Sequence, residues 1–360
     1  MAATPSSADR FVGCLIGQCL GDALGFVVEG YPPEVCRHYV DTVLRAGKAG
    51  EHARAPFLFG QYSDDSQLAR EMLSSFVACG RFEPADYAAR IAAIFAEDRI
   101  VGRGRATEAA ARRLAAGVPW QEAGTPPPQA GNGSAMRAGA AGLIAAGADP
   151  DRLIRVAHDQ GRITHADRRC SAGAVCVAGA VWQALNGGPA RLPKSYGPSP
   201  EGYGPQGGGQ VDRPGWLDWL AARSQPFDRT FAGGVRALAG WLELPPEAAE
   251  VEIARVGIEP GFSDRWLGIS PFVTTSVLWS LYAFFRSPDD YWETICTAIA
   301  VGGDVDTTAA MAGAISGAHN GRATVPPALA ARLTDQGTWG HDALVELALS
   351  AHRLATGAAD

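Results

Sequence analysis

Residues 11–26 read FVGCLIGQCLGDALGF, and four glycines in them, Gly13, Gly17, Gly21 and Gly25, recur at every fourth position. A spacing of four returns to nearly the same side of an α-helix, so the stretch predicts a helix over 8–28 with one bare face. Residues 309–318, AAMAGAISGA, repeat the device with Ala309, Gly313 and Gly317. Faces this small let a neighbouring helix approach closely. Acidic residues adjoin both stripes: Asp22 and Glu29 the first, Asp304 and Asp306 the second. The pattern predicts that the two helices pack together near the centre and bring their acidic ends together.

Composition extends that reading to the whole chain. Of 360 residues, 65 are alanine and 44 glycine, with 47% hydrophobic and 19% charged. So much alanine with so few β-branched runs favours helices, and the hydrophobic fraction excludes disorder. Helical spacing recurs over 65–79, 84–97, 106–117, 134–146, 151–160, 167–186, 228–242, 272–286, 289–300, 307–319 and 341–355. Ser7 or Asp9, Asp151 and Asp228 suit helix starts, and Gly80, Gly117 and Gly147 suit helix ends. No hairpin signal or strand alternation stands against them. The fold class expected is all-α.

One segment differs in kind. Residues 186–215 contain nine glycines and six prolines, half of the stretch. Such a composition cannot offset the entropy of ordering by packing. Motifs on both sides of it read as parts of one site, so it is expected to be an insertion loop rather than a linker.

Charge and cysteine usage narrow the partners. A net charge of −7 and a pI near 5.6 carry no electrostatic footprint for nucleic acid or an anionic membrane. Seven cysteines form no CxxC pair and sit mostly in apolar stretches, which favours a reducing compartment. The first thirty residues lack a basic segment, and Gln18, Asp22 and Glu29 interrupt their apolar run. Neither a signal peptide nor a membrane span is expected, and the location expected is cytoplasmic.

Two acidic clusters carry the chemistry. Tyr62-Ser63-Asp64-Asp65-Ser66 precedes the helical run QLAREMLSSF. Paired aspartates among hydroxyls at a helix start are ordinarily caps, which also suit the positive end of the helix dipole. Gly302-Gly303-Asp304-Val305-Asp306-Thr307-Thr308 opens the second striped helix, and a cap needs only one acceptor. Its glycine pair permits a turn closed to other residues. Together the clusters offer four carboxylates and two hydroxyls, an all-oxygen set suited to Mg²⁺ or Mn²⁺ and not to zinc. Four carboxylates without cations would repel one another, whereas two divalent ions would neutralise them. Asp22, in a small and apolar stretch, must find a partner, because an unpaired buried charge is costly. Gly131-Asn132-Gly133-Ser134-Ala135-Met136-Arg137 opens a helix whose backbone N–H groups could cradle phosphate, with Arg137 adding charge. Thr164-His165-Ala166-Asp167 precedes another.

Taken in order, GDALG at 21–25 with Glu29, SDDS at 63–66, GNGSAMR at 131–137, THAD at 164–167 and GGDVDTT at 302–308 resemble the ADP-ribosylglycohydrolase family, which includes the enzyme that reactivates ADP-ribosylated dinitrogenase reductase. The likeness runs from about residue 8 to 320, broken by the insertion. It implies a compact, orthogonally packed multi-helix single all-α domain, over 8–356 here, with two divalent cations, Mg²⁺ or Mn²⁺, in a cleft. By position, Ser63, Asp64, Asp65, Asp304, Asp306 and Thr307 would be metal ligands. Asp65, Glu29 and Asp64 would be the catalytic set, with Asp65 or Glu29 acting on the attacking water. Gly131, Asn132, Gly133, Ser134, Met136, Arg137 and His165 would line an ADP-ribose pocket, joined by Gly102 from a loop, 102–107, near the distal ribose. Ser63 and Ser66 stand where threonine is usual, and Val305 replaces a common threonine; both changes keep the ligand set. After GNGSAMR this chain reads AGAAGL where many members carry proline.

The activity implied is hydrolysis of the glycosidic bond at the distal ribose C1″ of an ADP-ribosylated protein or small molecule, first of all one linked through arginine, with ADP-ribose as product. A monomer is expected. The competing classes are a non-catalytic ADP-ribose-binding or immunity-type partner protein, and a metal-dependent hydrolase of another small substrate on the same scaffold. Trp266, Phe272, Trp279 and Tyr282 read mostly as core, with Phe262 and Trp266 the better pocket candidates.

Overall fold

The computed structural model describes residues 5–186, 211–258 and 266–357. Sixteen α-helices account for most of the described residues, and among these there is no β-strand, only isolated bridges. In chain order they are α1 (Ser7–Phe26), α2 (Pro33–Tyr39), α3 (Asp64–Cys79), α4 (Pro84–Ala96), α5 (Arg105–Ala115), α6 (Ala138–Ile144), α7 (Pro150–Arg162) and α8 (Arg168–Asn186). After the segment at 187–210, which lies outside the described residues, come α9 (Arg213–Ser224), α10 (Arg229–Trp241), α11 (Pro246–Ile253) and α12 (Val273–Arg286). The remaining helices are α13 (Tyr291–Ala300), α14 (Val305–Asn320), α15 (Pro327–Ala330) and α16 (His341–Thr356). The class is all-α.

Helices α1 and α14 form the centre. Every residue of α1 from Phe11 to Phe26 is buried, as is α14 from Val305 to Ala318. They run antiparallel with backbones almost touching. A Cβ added at Gly13 would stand 2.3 Å from the Gly317 carbonyl oxygen, one at Gly17 2.5 Å from that of Gly313, and one at Gly21 2.2 Å from that of Ala309. The reverse contacts are as tight, at 2.0 Å from Gly317 to the Gly13 oxygen. No side chain fits at such distances, so glycine here is a requirement of shape. Antiparallel packing sets the end of α1 against the start of α14. A Cβ at Gly25 would lie 2.5 Å from the Cα of Asp306.

Boundaries depart from the spacing in instructive places. The cap of α1 is Ser6, not Ser7 or Asp9, and that of α7 is Asp149, because Pro150 occupies the first turn where a missing N–H costs nothing. Asp228 caps α10, and Gly80 closes α3 in the left-handed region. The helix expected over 134–146 is two pieces, a 3₁₀ turn at Asn132–Ser134 and α6 from Ala138. The Asn132 carbonyl accepts from both Ala135 N and Met136 N, which tightens the chain into a turn before the helix begins. α2, α9, α11 and α15 were not expected. α9 starts inside the stretch read as insertion, with Asp212 capping it through Gly215 N and Pro214 in its first turn, so residues 212–215 belong to a helix start.

Candidate active site

The acidic turn before α3 is set by side chains. Ser63 Oγ caps the helix, accepting from Asp65 N at 3.3 Å while donating to Asp65 Oδ2 at 2.9 Å. From α1, the Asp22 carboxylate accepts from Ser63 N at 2.9 Å and Ser66 N at 3.1 Å. The partner that a buried Asp22 demanded is therefore a helix N-terminus, which favours an anion both by its free N–H groups and by its dipole. Gln18, one turn earlier on α1, donates to the carbonyls of Asp65 and Met136 and ties α3 to the start of α6.

The turn before α14 is set by backbone. Gly302 and Gly303 have φ of +74° and +86°. Gly303 N donates to the Tyr31 carbonyl at 2.9 Å, and its own carbonyl accepts from Gly30 N at 2.8 Å. Asp304 N donates to the Ile269 carbonyl at 2.8 Å. A Cβ at Gly303 would lie 2.2 Å from that same Ile269 oxygen, so the position excludes any side chain on two grounds.

These two turns and the end of α1 assemble two groups of three carboxylates. Asp22, Asp65 and Asp306 each place an oxygen within 4.8 Å of the others, and so do Glu29, Asp304 and Asp306. Asp306 belongs to both. Thr307 Oγ1 donates to Asp65 Oδ2 at 3.3 Å, so the second turn also touches the first directly. Asp65 Oδ1 is buried with no hydrogen-bond partner. Asp64 stands to one side, beside Gly102, where an added Cβ would lie 2.8 Å from its Oδ1. Ser63 donates its hydroxyl to Asp65, and Asp64 stands outside the two three-acid groups.

Gathering these acids raises their proton affinity. Burial pushes Asp22 up to about 7. Burial and then the nearby Glu29 charge push Asp304 up to about 7. Burial, followed by the mutual repulsion of their neighbours, drives Asp64, Asp65 and Asp306 well above the usual carboxylate range. Within the protein, Glu29 finds a cation in Arg54, whose guanidinium also donates to the Phe26 carbonyl and lies over the Phe26 ring. An orphaned buried carboxylate oxygen, two three-acid groups and hydroxyl neighbours form an all-oxygen donor set that fits hard divalent cations.

Above this floor opens a cleft of about 840 Å³. Of the residues expected to line it, Gly102, Gly131, Asn132, Gly133, Met136 and His165 do so, as do Trp266 and the 102–107 loop. Ser134 and Arg137 point elsewhere. The Ser134 hydroxyl donates to the Cys170 carbonyl, and the fully buried Arg137 binds Gln160 and Thr164. Asn132 turns its amide nitrogen to Ser276 Oγ, at 3.0 Å, and to Asp304 Oδ2, so it orients an acid as well as lining the cleft. Trp279 is core, stacked on Tyr282 with centroids 4.9 Å apart, and Phe262 lies outside the described residues.

Sequence reasoning missed a second buried polar network behind α3. Gln67 accepts from Val101 N at 2.8 Å, donates to the Arg99 carbonyl at 2.9 Å and to Asp335 at 2.8 Å. It thereby clamps the strand of chain leading to Gly102, while Arg70 pairs with Asp335 and Glu71. Asp335 is 265 residues from Arg70, and only an unusual density of polar residues in QLARE hinted at a buried partner.

Comparisons with known proteins bear on the family and the fold. The family model described as ADP-ribosylglycohydrolase matches residues 3–359. The "ADP-ribosylhydrolase ARH3" of Bos taurus is 29% identical over 378 residues, covering 98% of this chain and 95% of that protein. The "ADP-ribosylarginine hydrolase Tri1" of Pseudomonas putida (strain GB-1) is 33% identical over 144 residues, 37% of this chain and 36% of that one. A solved structure described as an "ADP-ribosylglycohydrolase-related protein complex" superposes with a TM-score of 0.63 at 24% identity, over 97% of this chain and 99% of its own, and shares the fold.

Proposed function

We propose, on the premise that the chain belongs to the ADP-ribosylglycohydrolase family, that it hydrolyses the glycosidic bond at the distal ribose C1″ of ADP-ribosylated substrates and releases ADP-ribose. The observation that carries the reading is the pair of three-carboxylate groups sharing Asp306 on the floor of a glycine-lined cleft. Asp65, Asp306 and Asp22 would hold one divalent cation, Mg²⁺ or Mn²⁺, and Glu29, Asp304 and Asp306 a second, with Thr307 beside them. Such ions supply positive charge that orients ribose hydroxyls and lowers the pKa of water.

The chain's own groups do the rest. Asp65 keeps Oδ1 free because Ser63 and Thr307 both engage Oδ2. Glu29 is held from behind by Arg54. Either carboxylate would take a proton from the attacking water, a role typically worth about 10²–10⁴-fold in rate. The water oxygen bonds to C1″, the bond from C1″ to the acceptor breaks, and the leaving group ends protonated. Asp64, Gly102 and the rest of the 102–107 loop wall the cleft beside the reacting ribose, and Gly131, Gly133, Met136 and His165 wall the remainder. Positioning of this kind converts an encounter into a nearly intramolecular reaction.

Arginine is the first linkage to test, because the relative whose name states a linkage is an arginine hydrolase. ADP-ribosyl-arginine and a serine-linked ADP-ribosyl peptide, each incubated with the protein and Mg²⁺ or Mn²⁺, should be compared for release of free ADP-ribose. Release from one of them that disappears in Asp306→Asn supports the reading. Absence of release from both under either metal contradicts it.

A further inference from the structure

We infer that Arg137 and Thr164 are positioning residues that act through His165, fixing its imidazole as the Nε2–H tautomer so that it offers the cleft a hydrogen-bond donor. The inference uses the proposed function only in choosing ADP-ribose as a probe.

Arg137 is fully buried, donating from Nε to Gln160 Oε1 at 2.9 Å and from Nη2 to the Gln160 carbonyl at 2.9 Å and Thr164 Oγ1 at 2.8 Å. Gln160 in turn donates its amide nitrogen to the Ser134 carbonyl at 2.8 Å, which leaves its oxygen facing the guanidinium. Thr164 Oγ1 therefore already accepts from a cation and has a single hydrogen of its own to give. Two acceptors are in range. His165 Nδ1 lies at 2.8 Å and the Gly161 carbonyl at 3.5 Å. That carbonyl is already engaged by Thr164 N and His165 N, at 3.2 and 3.0 Å. A hydroxyl polarised by a charged donor is a stronger donor and a poorer second acceptor. Its hydrogen goes to Nδ1, and a neutral ring then carries its own on Nε2.

Ring position completes the case. His165 lines the cleft, and its Nε2 has no protein partner among the described residues. Gly131 and Gly133 flank it: a Cβ on Gly133 would stand 2.7 Å from Cε1 and 3.2 Å from Nε2, and one on Gly131 3.5 Å from Nε2. Burial and then the Arg137 charge push the His165 pKa down to about 3, so the ring stays neutral near pH 7. The chain Arg137 to Thr164 to His165 thus ends in one N–H aimed at an acceptor oxygen of the cleft's occupant. Arg137 serves that occupant at one remove, without touching it.

The direct test is a long-range ¹H–¹⁵N correlation spectrum of the ¹⁵N-labelled protein at neutral pH, with calorimetry of ADP-ribose binding in parallel. Wild type should show His165 with an unprotonated Nδ1 and a protonated Nε2. Thr164→Val should mix the two tautomers and weaken ADP-ribose binding by roughly tenfold, the size of one lost hydrogen bond. Thr164→Ser should restore both readings. An Nδ1–H or doubly protonated ring in wild type overturns the inference, as does a Thr164→Val protein with unchanged tautomer and affinity. Should Thr164→Val fail to fold, the wild-type spectrum decides alone. An Nε2–H ring in a protein that does not bind ADP-ribose would uphold the relay and count against the proposed function.

Discussion

Ser63-Asp64-Asp65-Ser66 and Gly302-Gly303-Asp304-Val305-Asp306 both bring carboxylates to the floor of the cleft, and each turn is fixed by a different kind of contact. Side chains do most to hold the first: Ser63 caps its own helix and Asp22 reaches over from α1 to bind two of its N–H groups, beside one backbone bond from Asp64 N to the Val101 carbonyl. Backbone holds the second: two left-handed glycines are pinned between Tyr31, Gly30 and Ile269 with no room for a Cβ. A side-chain lock can be weakened by degrees, because each bond contributes separately. A backbone lock fails as a whole, because one added carbon meets an atom that cannot yield. The first turn should therefore respond gradually to mutation and the second abruptly.

The largest effect is expected at Gly303→Ala, which combines a positive φ with a Cβ 2.2 Å from a carbonyl oxygen. A loss of at least about 3 kcal/mol, or failure to fold, is the expected outcome in urea denaturation. Stability within about 1 kcal/mol of wild type would break the contrast between the turns. Gly17→Leu probes the same backbone logic further along the seam, where the Cβ alone would stand 2.5 Å from the Gly313 oxygen. It should lower both stability and Mn²⁺ affinity, since the seam sets the end of α1 against the start of α14. Stability lost with metal affinity intact would separate the seam from the site.

Asp22→Asn comes next. One acceptor oxygen survives, but an amide then faces a backbone N–H that the carboxylate satisfied. About 1–3 kcal/mol should be lost, the cost of leaving a buried polar group unpaired. Because Asp22 also belongs to one of the acid groups, divalent-cation affinity should fall with it. Calorimetric titration of Mn²⁺ beside a denaturation curve reads both.

Acidity gives a further test. Burial pushes the folded Asp22 and Asp304 carboxyls up to about 7, far above the ordinary aspartate value of 3.8. Between those values the folded chain binds more protons than the unfolded one, so stability falls as pH rises. With respect to these groups, chelator-treated protein should be most stable below about pH 4, and its Tm should drop by several degrees between there and about pH 7. Added Mg²⁺ or Mn²⁺ should remove the drop by replacing the lost protons with bound charge. A metal-free Tm that rises through this window would contradict the assignment. The smallest effect belongs to Ser63→Ala, which removes one cap and should cost about 1 kcal/mol by thermal denaturation.

The same contrast marks what the sequence made legible. Spacing of four along Gly13 to Gly25 and Ala309 to Gly317 pointed to the central helix pair, and GG before DVD pointed to a constrained turn, because local patterns encode local backbone. Asp22 announced that it needed a partner without saying which, since the answer lay 41 and 44 residues away at Ser63 and Ser66. Arg137 reads as a ligand contact when only its neighbours in sequence are considered. Its actual surroundings, Gln160 and Thr164, come from another helix and the turn after it. Asn132 likewise reads as pocket lining, while its bond to Asp304 spans 172 residues. α2, of seven residues, is too short for periodicity to register at all.

The proposed function rests on a two-cation site that the two turns would build around Asp306. Mn²⁺ titration of chelator-treated protein, read by calorimetry together with electron paramagnetic resonance, tests it most directly. Two bound Mn²⁺ per chain with a spin-coupled signal in wild type, reduced to at most one uncoupled ion in Asp306→Asn, is the predicted result. No binding in wild type, or stoichiometry and coupling unchanged in Asp306→Asn, would contradict it.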